Sequence, residues 1–269
     1  MQPIVSRAMR HSMDYGGLER TWIQIDGDPG TAIMFLHGSR QSASVVRNFT
    51  NRQFEGLGPT VVYPDGYHHH FNDLRVGFQE RVRRDNIDDV GFLTALAGRF
   101  DRVIACGFSN GGQMVLRLLW ESPITFEAAA LFGASLPIDA NVIELSAPFT
   151  PTPLLIVQGT EDPLVPYQGG MSGIGNANRG ETMSAMDSAR RLARYNGAET
   201  QHTHTQHDGY TEDTWNAPGA QPVRLVSVAG VGHLVPVDKQ LDPRLGPGTD
   251  KVTGAQLLTR FLDAAGQTH

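Results

Sequence analysis

Residues 106–112 read CGFSNGG, one hydroxyl among glycines between the apolar run Val103-Ile104-Ala105 and the helix-forming Met114-Val115-Leu116. A strand that turns sharply into a helix at Ser109 fits that pattern. Such a turn holds the serine backbone in an unfavourable region and crowds the positions two before and two after it, here Gly107 and Gly111. The helix N-terminus also sets unpaired N–H groups and a partial positive charge beside the hydroxyl, which suits an oxyanion. A phosphate cradle is the weaker alternative, since neither G-x-G-x-x-G nor a G-K-[ST] ending is present.

Outward from this turn, β-type and helix-type runs alternate along nearly the whole chain. Segments 31–36, 60–63, 103–106, 128–132, 154–157 and 223–228 are predominantly apolar runs and are expected as strands buried on both faces. Segment 20–25 alternates and suits an early antiparallel strand. The expected fold class is α/β, a mostly parallel central sheet flanked by helices on both faces. Asp85 is expected to cap a helix whose Ile87, Val90, Leu93 or Thr94, and Ala97 share a face. Met183, Met186, Ala189 and Ala193 mark a helix that stops at Asn196-Gly197, and Ala255, Leu258, Phe261 and Leu262 mark a closing one. Segments 136–153 and 198–222 carry little periodicity and are expected as irregular functional loops.

Composition narrows the function classes. With 269 residues, 40% hydrophobic and 19% charged, the chain is expected to form one domain over residues 1–269. A formal charge of −6 argues against nucleic acid or an anionic membrane as partner. The one dense basic run, Arg81-Val82-Arg83-Arg84, is expected as a solvated face. A lone cysteine, Cys106, leaves no internal disulfide. The N-terminus has no apolar leader core and no stretch is long enough to span a membrane, which points to a cytoplasmic protein; a chain whose export signal had been removed would read the same.

A serine alcohol needs a base, and the base an orienting acid, in the chain order Ser, acid, His. The apolar segment 154–157 ends in Gly159-Thr160-Glu161-Asp162, where Asp162 is the expected acid and Glu161 the fallback. The segment 223–228 ends in Ala229-Gly230-Val231-Gly232-His233, where His233 is the expected base. The loop His37-Gly38-Ser39-Arg40 follows another expected strand, so the amides of Ser39 or Arg40, with that of Asn110, are the expected oxyanion donors. His68-His69-His70 and His202, His204 and His207 lack the H-E-x-x-H spacing of a metal site, and none is expected.

These residues resemble the polyhydroxybutyrate depolymerase and feruloyl esterase (LpqC-type) branch of the α/β-hydrolase superfamily. The likeness rests on Gly16-Gly17-Leu18-Glu19-Arg20, Leu36-His37-Gly38 with Gln41-Ser42, Tyr63-Pro64-Asp65-Gly66 and Phe71-Asn72-Asp73-Leu74-Arg75. It continues through Asp88-Asp89-Val90-Gly91-Phe92-Leu93, the Ser109 motif, Gly159 to Tyr167, Asn196-Gly197 and Gly232-His233. The resemblance implies the α/β-hydrolase fold and a cofactor-free serine esterase that cleaves small acyl, hydroxyalkanoate or hydroxycinnamate esters. The chain differs at Ser39, Phe71 and Leu234-Val235-Pro236, where exported members commonly carry a cysteine, a tryptophan and an aromatic residue.

The function expected from the sequence is therefore carboxylic-ester hydrolysis of a small-molecule ester through an acyl-enzyme, with Ser109, Asp162 and His233 as triad. Asn72, Asp73 and Trp215 are expected to contact substrate. An acyltransferase with the same triad, or a ligand-binding protein on this scaffold, are the alternatives. No cofactor, nucleic acid or membrane partner is implied.

Overall fold

The computed structural model describes residues 7–174 and 177–266; the N-terminal stretch read for a leader lies, up to Ser6, outside them. In chain order the strands and helices are β1 Met9–Tyr15, β2 Leu18–Ile25, β3 Asp28–Leu36, α1 Ala43–Phe49, β4 Pro59–Pro64, α2 Arg81–Arg84, α3 Asp89–Ala97, β5 Arg102–Phe108 and α4 Asn110–Glu121. They continue as β6 Ala128–Phe132, β7 Leu154–Gly159, β8 Gly170–Ile174, β9 Ala177–Thr182, α5 Ala185–Tyr195, β10 Gln201–His207, β11 Tyr210–Asn216, β12 Val223–Val228 and α6 Gly254–Gly266.

Ten strands form one sheet in the order β1-β2-β4-β3-β5-β6-β7-β12-β11-β10. The six from β4 to β12 run parallel, and the hairpins β1-β2 and β10-β11 flank them antiparallel. Successive side chains along each inner strand go to opposite faces. Val103 and Ala105 of β5 join the core beneath α3, α4 and α5, with Phe92, Val115, Leu119 and Leu192. Ile104 and Cys106 join the core beneath α1 and α6, with Val46, Leu258 and Phe261. Burial on both faces is why these strands read as unbroken apolar runs.

Two local expectations are corrected. Asp88, not Asp85, caps α3: its carboxylate accepts from Gly91 N–H at 2.8 Å. Asp85 instead closes the short α2, and Asn86 at φ 48° turns the chain between the two helices. Segment 198–222 is not irregular, because it holds the β10-β11 hairpin. β10 is an edge strand exposed along almost its whole length, so it has no apolar alternation to read. The hairpin dipeptide Asp208-Gly209 at its tip was the available signal.

The parallel register lines up the carboxyl ends of the central strands. Leu36 pairs with Gly107, Phe108 with Phe132, Phe132 with Val157, and Val228 with Gly159. The chain therefore leaves β3, β5, β6, β7 and β12 on one edge of the sheet, where α/β proteins place their ligands. A separate two-stranded sheet, β8-β9, also contributes to the cavity at this edge. Among the described residues no helix is long and apolar enough to cross a membrane.

Candidate active site

Ser109 joins β5 to α4 with φ 53° and ψ −114°, a conformation that strains any residue with a side chain. Its neighbours explain how the strain is held. A Cβ on Gly107 would lie 2.3 Å from Gly111 O, and one on Gly111 would lie 2.2 Å from Leu36 O. Only glycine fits at either place. The turn is thus wedged against the end of β3, and Ser109 N–H donates to Phe132 O at 2.8 Å.

His233 lies in the loop after β12 and is almost fully buried. Its Nδ1–H donates to Asp162 Oδ2 at 2.7 Å, since an ionised carboxylate can only accept. Asp162, in the loop after β7, is fixed on both oxygens. Oδ1 accepts from Leu164 N–H and Val165 N–H, each at 2.8 Å, and Oδ2 also accepts from Gln158 Nε2 at 3.0 Å. The imidazole packs on Phe108, the residue before Ser109, with ring centroids 4.9 Å apart. This tautomer leaves Nε2 as the free, basic nitrogen.

Ser109 and His233 line one small cavity of about 80 Å³, together with Ser39, Gln41, Phe108, Leu164, Val165, Ser172 and Leu245. Among the described residues no hydrogen bond joins the Ser109 hydroxyl to the imidazole; such contacts commonly tighten only when substrate is bound.

The loop after β3 is held by His37. Its Nδ1–H donates to Gly38 O at 2.8 Å while its Nε2 accepts from Gly66 N–H at 2.9 Å. Only the neutral ring can do both, and burial pushes its pKa down to about 4. Gly38 N–H donates to Gln41 Oε1 at 3.0 Å, and a Cβ on Gly38 would lie 3.4 Å from Ser109 Cβ, so this loop runs beside the serine. The amides of Ser39 and of Asn110, the first residue of α4, have no protein acceptor among the described residues. The Arg40 amide does not share that freedom: at φ 65° it donates to His69 O at 2.9 Å, which removes it as an oxyanion donor.

The expected substrate contacts are placed elsewhere. Asn72 N–H donates to Asp89 Oδ2 at 2.7 Å and its side-chain amide to Ile87 O at 2.9 Å. Asp73 is sealed against Arg75 and accepts from Asn110 Nδ2 at 2.7 Å. These buried polar groups lock the 71–75 segment behind Ser109 rather than face the cavity: neither lines it, and the Asn72 N–H and side-chain NH2 and the Asp73 carboxylate are bonded inside the protein, although Asn72 Oδ1 is buried without a partner among the described residues. Trp215 is core: it is buried in the cluster beneath α5 and stacks on His202 at 4.7 Å.

Two charged cavity residues escaped the sequence reading. Arg75 lies in the quoted Phe71 to Arg75 stretch but was not singled out, and Arg179 lies on β9, which has no readable periodicity. The polar groups at hand, an alcohol, an oriented imidazole and two free amides, suffice for nucleophilic addition to a carbonyl.

No protein-family model matches the chain. A curated relative from Nocardia uniformis subsp. tsuyamanensis, provisionally named the esterase NocK, is 28% identical over 182 residues, which is 62% of this chain and 52% of that protein. The chain thus spans about half the length of the curated relative it matches. Among solved structures, esterase PE8 superposes with a TM-score of 0.55 at 14% identity over 90% of this chain and 97% of that one. The Thermus thermophilus protein TT1662 superposes with a TM-score of 0.53 at 16% identity over 96% and 99%. The chain has the α/β-hydrolase fold.

Proposed function

We propose that the protein is a serine carboxylic-ester hydrolase working through an acyl-enzyme. One observation carries this reading: the bond from His233 Nδ1 to Asp162 frees Nε2 as a base in the cavity that holds Ser109. Ser109 Oγ adds to the ester carbonyl carbon and its proton passes to His233 Nε2. The amides of Ser39 and Asn110 hold the oxygen that becomes negative. The carbon–oxygen bond to the alcohol breaks, and the departing oxygen takes the proton from His233. Water then adds to the acyl carbon, gives its proton to Nε2, and releases the acid as Ser109 Oγ regains a proton.

Strain at Ser109 supports this role, since it aims the hydroxyl out of the turn at the positive end of a twelve-residue helix. A cavity of about 80 Å³ favours short acyl groups. The sequence resemblance to depolymerases and feruloyl esterases extends the substrate class to hydroxyalkanoate and hydroxycinnamate esters. A panel of p-nitrophenyl esters from acetate to octanoate, with methyl ferulate and a hydroxybutyrate oligomer, tests it together with fluorophosphonate labelling. Turnover of short esters and a label on Ser109 are expected. Absence of both overturns the proposal.

A further inference from the structure

The wall of the cavity holds two guanidiniums, Arg75 and Arg179, only 4% and 5% exposed. Arg75 spends Nε and Nη2 on Asp73, the latter at 2.5 Å. Arg179 spends Nη2 on Glu80 at 2.6 Å. Both pack on the ring of Phe78, with guanidinium carbons 5.1 and 4.6 Å from its centroid, which fixes them on the same wall.

A purely structural role accounts for these bonds but not for the remaining donors. Arg75 Nη1 and Arg179 Nε and Nη1 have no acceptor among the described residues, and they are not sealed within the protein as Arg83 Nε is. The charges do not cancel either. Arg83, from the run expected to be a solvated face, reaches inward and donates through Nη2 to the carbonyls of Asp73 and Arg75. Arg117 and Glu121, also beside Arg83, pair with each other, so three guanidiniums stand against two carboxylates, Asp73 and Glu80, leaving one positive charge over. Although burial pushes Glu80 up, its bond from Arg179 holds it below the usual carboxylate range, so it is already counted as ionised. His70, 3.8 Å from Glu80, is pushed down by burial and adds no charge near neutral pH. Asp162 is spent on His233 and two amides.

A buried fork with unused N–H groups beside a cavity fits a planar anion. We propose that Arg75 and Arg179 form an anion subsite of the Ser109 cavity, and that the protein acts on esters bearing a carboxylate a few atoms from the scissile carbonyl. This rests on the ester-hydrolase reading above.

Two matched pairs test it on the full chain: p-nitrophenyl hemiglutarate against p-nitrophenyl valerate, and 4-acetoxybenzoate against its methyl ester. The first puts the carboxylate on the acyl side, the second on the alcohol side. A kcat/KM at least about tenfold higher for the anionic member is expected in one pair. In Arg179→Gln that ratio should collapse, chiefly through KM, with Arg179→Lys in between. Should Arg179→Gln fail to fold by circular dichroism, inhibition of the unaltered protein decides: free glutarate should compete at least tenfold better than glutaramide. Active protein that prefers the neutral ester in both pairs, a preference that survives in folded Arg179→Gln, or equal inhibition by glutarate and glutaramide overturns the subsite while leaving the hydrolase reading standing. No turnover of any ester, with Ser109 unlabelled by fluorophosphonate, overturns both.

Discussion

His233 Nδ1 and Asp162 Oδ2 meet at 2.7 Å although 71 positions separate them in the chain. The contact forms because β7 and β12 are adjacent parallel strands whose last residues, Gly159 and Val228, are paired, so both loops leave the sheet side by side. Its consequence is a fixed tautomer, and the first expected outcomes follow from that.

Ser109→Ala and His233→Ala should each lower ester turnover by roughly 10⁴ to 10⁶ while leaving the fold intact. Steady-state hydrolysis of p-nitrophenyl acetate beside a circular-dichroism melt measures both. Near-normal turnover in either variant would remove the triad.

Asp162→Asn is a finer instrument. The Asn Oδ1 can still accept from the Leu164 and Val165 amides, which turns its NH2 toward Gln158 Nε2 and His233 Nδ1. An N–H of that amide then faces Nδ1, which must become the acceptor, so the ring proton moves to Nε2. A loss of about 10² to 10⁴ in kcat with little change in KM is expected. Equal activity would show that the tautomer does not matter.

Gly111→Ala should destabilise the protein by about 1–3 kcal/mol or prevent folding, because the new methyl meets backbone carbonyl atoms of Leu36 and His37 rather than a side chain able to move. Urea unfolding measures it. An unchanged midpoint would contradict the wedged turn.

Acid should weaken the native state through His37. Its folded pKa, about 4, lies below the ordinary value of 6.5 because burial disfavours the charged ring. Between those values the unfolded chain binds the proton and the native state does not, so stability falls as pH drops from about 6.5 to 4, by roughly 3 kcal/mol from this group. His37→Asn, which keeps an acceptor for Gly66 N–H, should show a shallower decline in urea unfolding across that window. Identical slopes would exclude the assignment.

The candidate site was legible where its signals are local. Gly107 and Gly111 around Ser109, and turns carrying Asp162 and His233 after apolar runs, are patterns within a few residues, because a sharp strand-to-helix turn and a strand end each leave a short signature. The inner strands were legible for a similar reason: burial on two faces demands unbroken apolar runs such as Ile104-Ala105-Cys106. The exposed edge strand β10 left no such mark, and neither did β8-β9.

By itself the sequence settled the α/β class, the strained turn at Ser109 and the order of the residues beside it, since propensity, patterning and glycine sterics act over neighbouring positions. Only the tertiary structure decided that Asn72, Asp73 and Trp215 are sealed supports, that the Arg40 amide is already engaged, and that Arg75 and Arg179 reach the cavity. Those outcomes depend on which hydrogen-bond partners arrive from distant strands, and a polar side chain's role follows from whether the packed protein or the open cavity meets its remaining bonds.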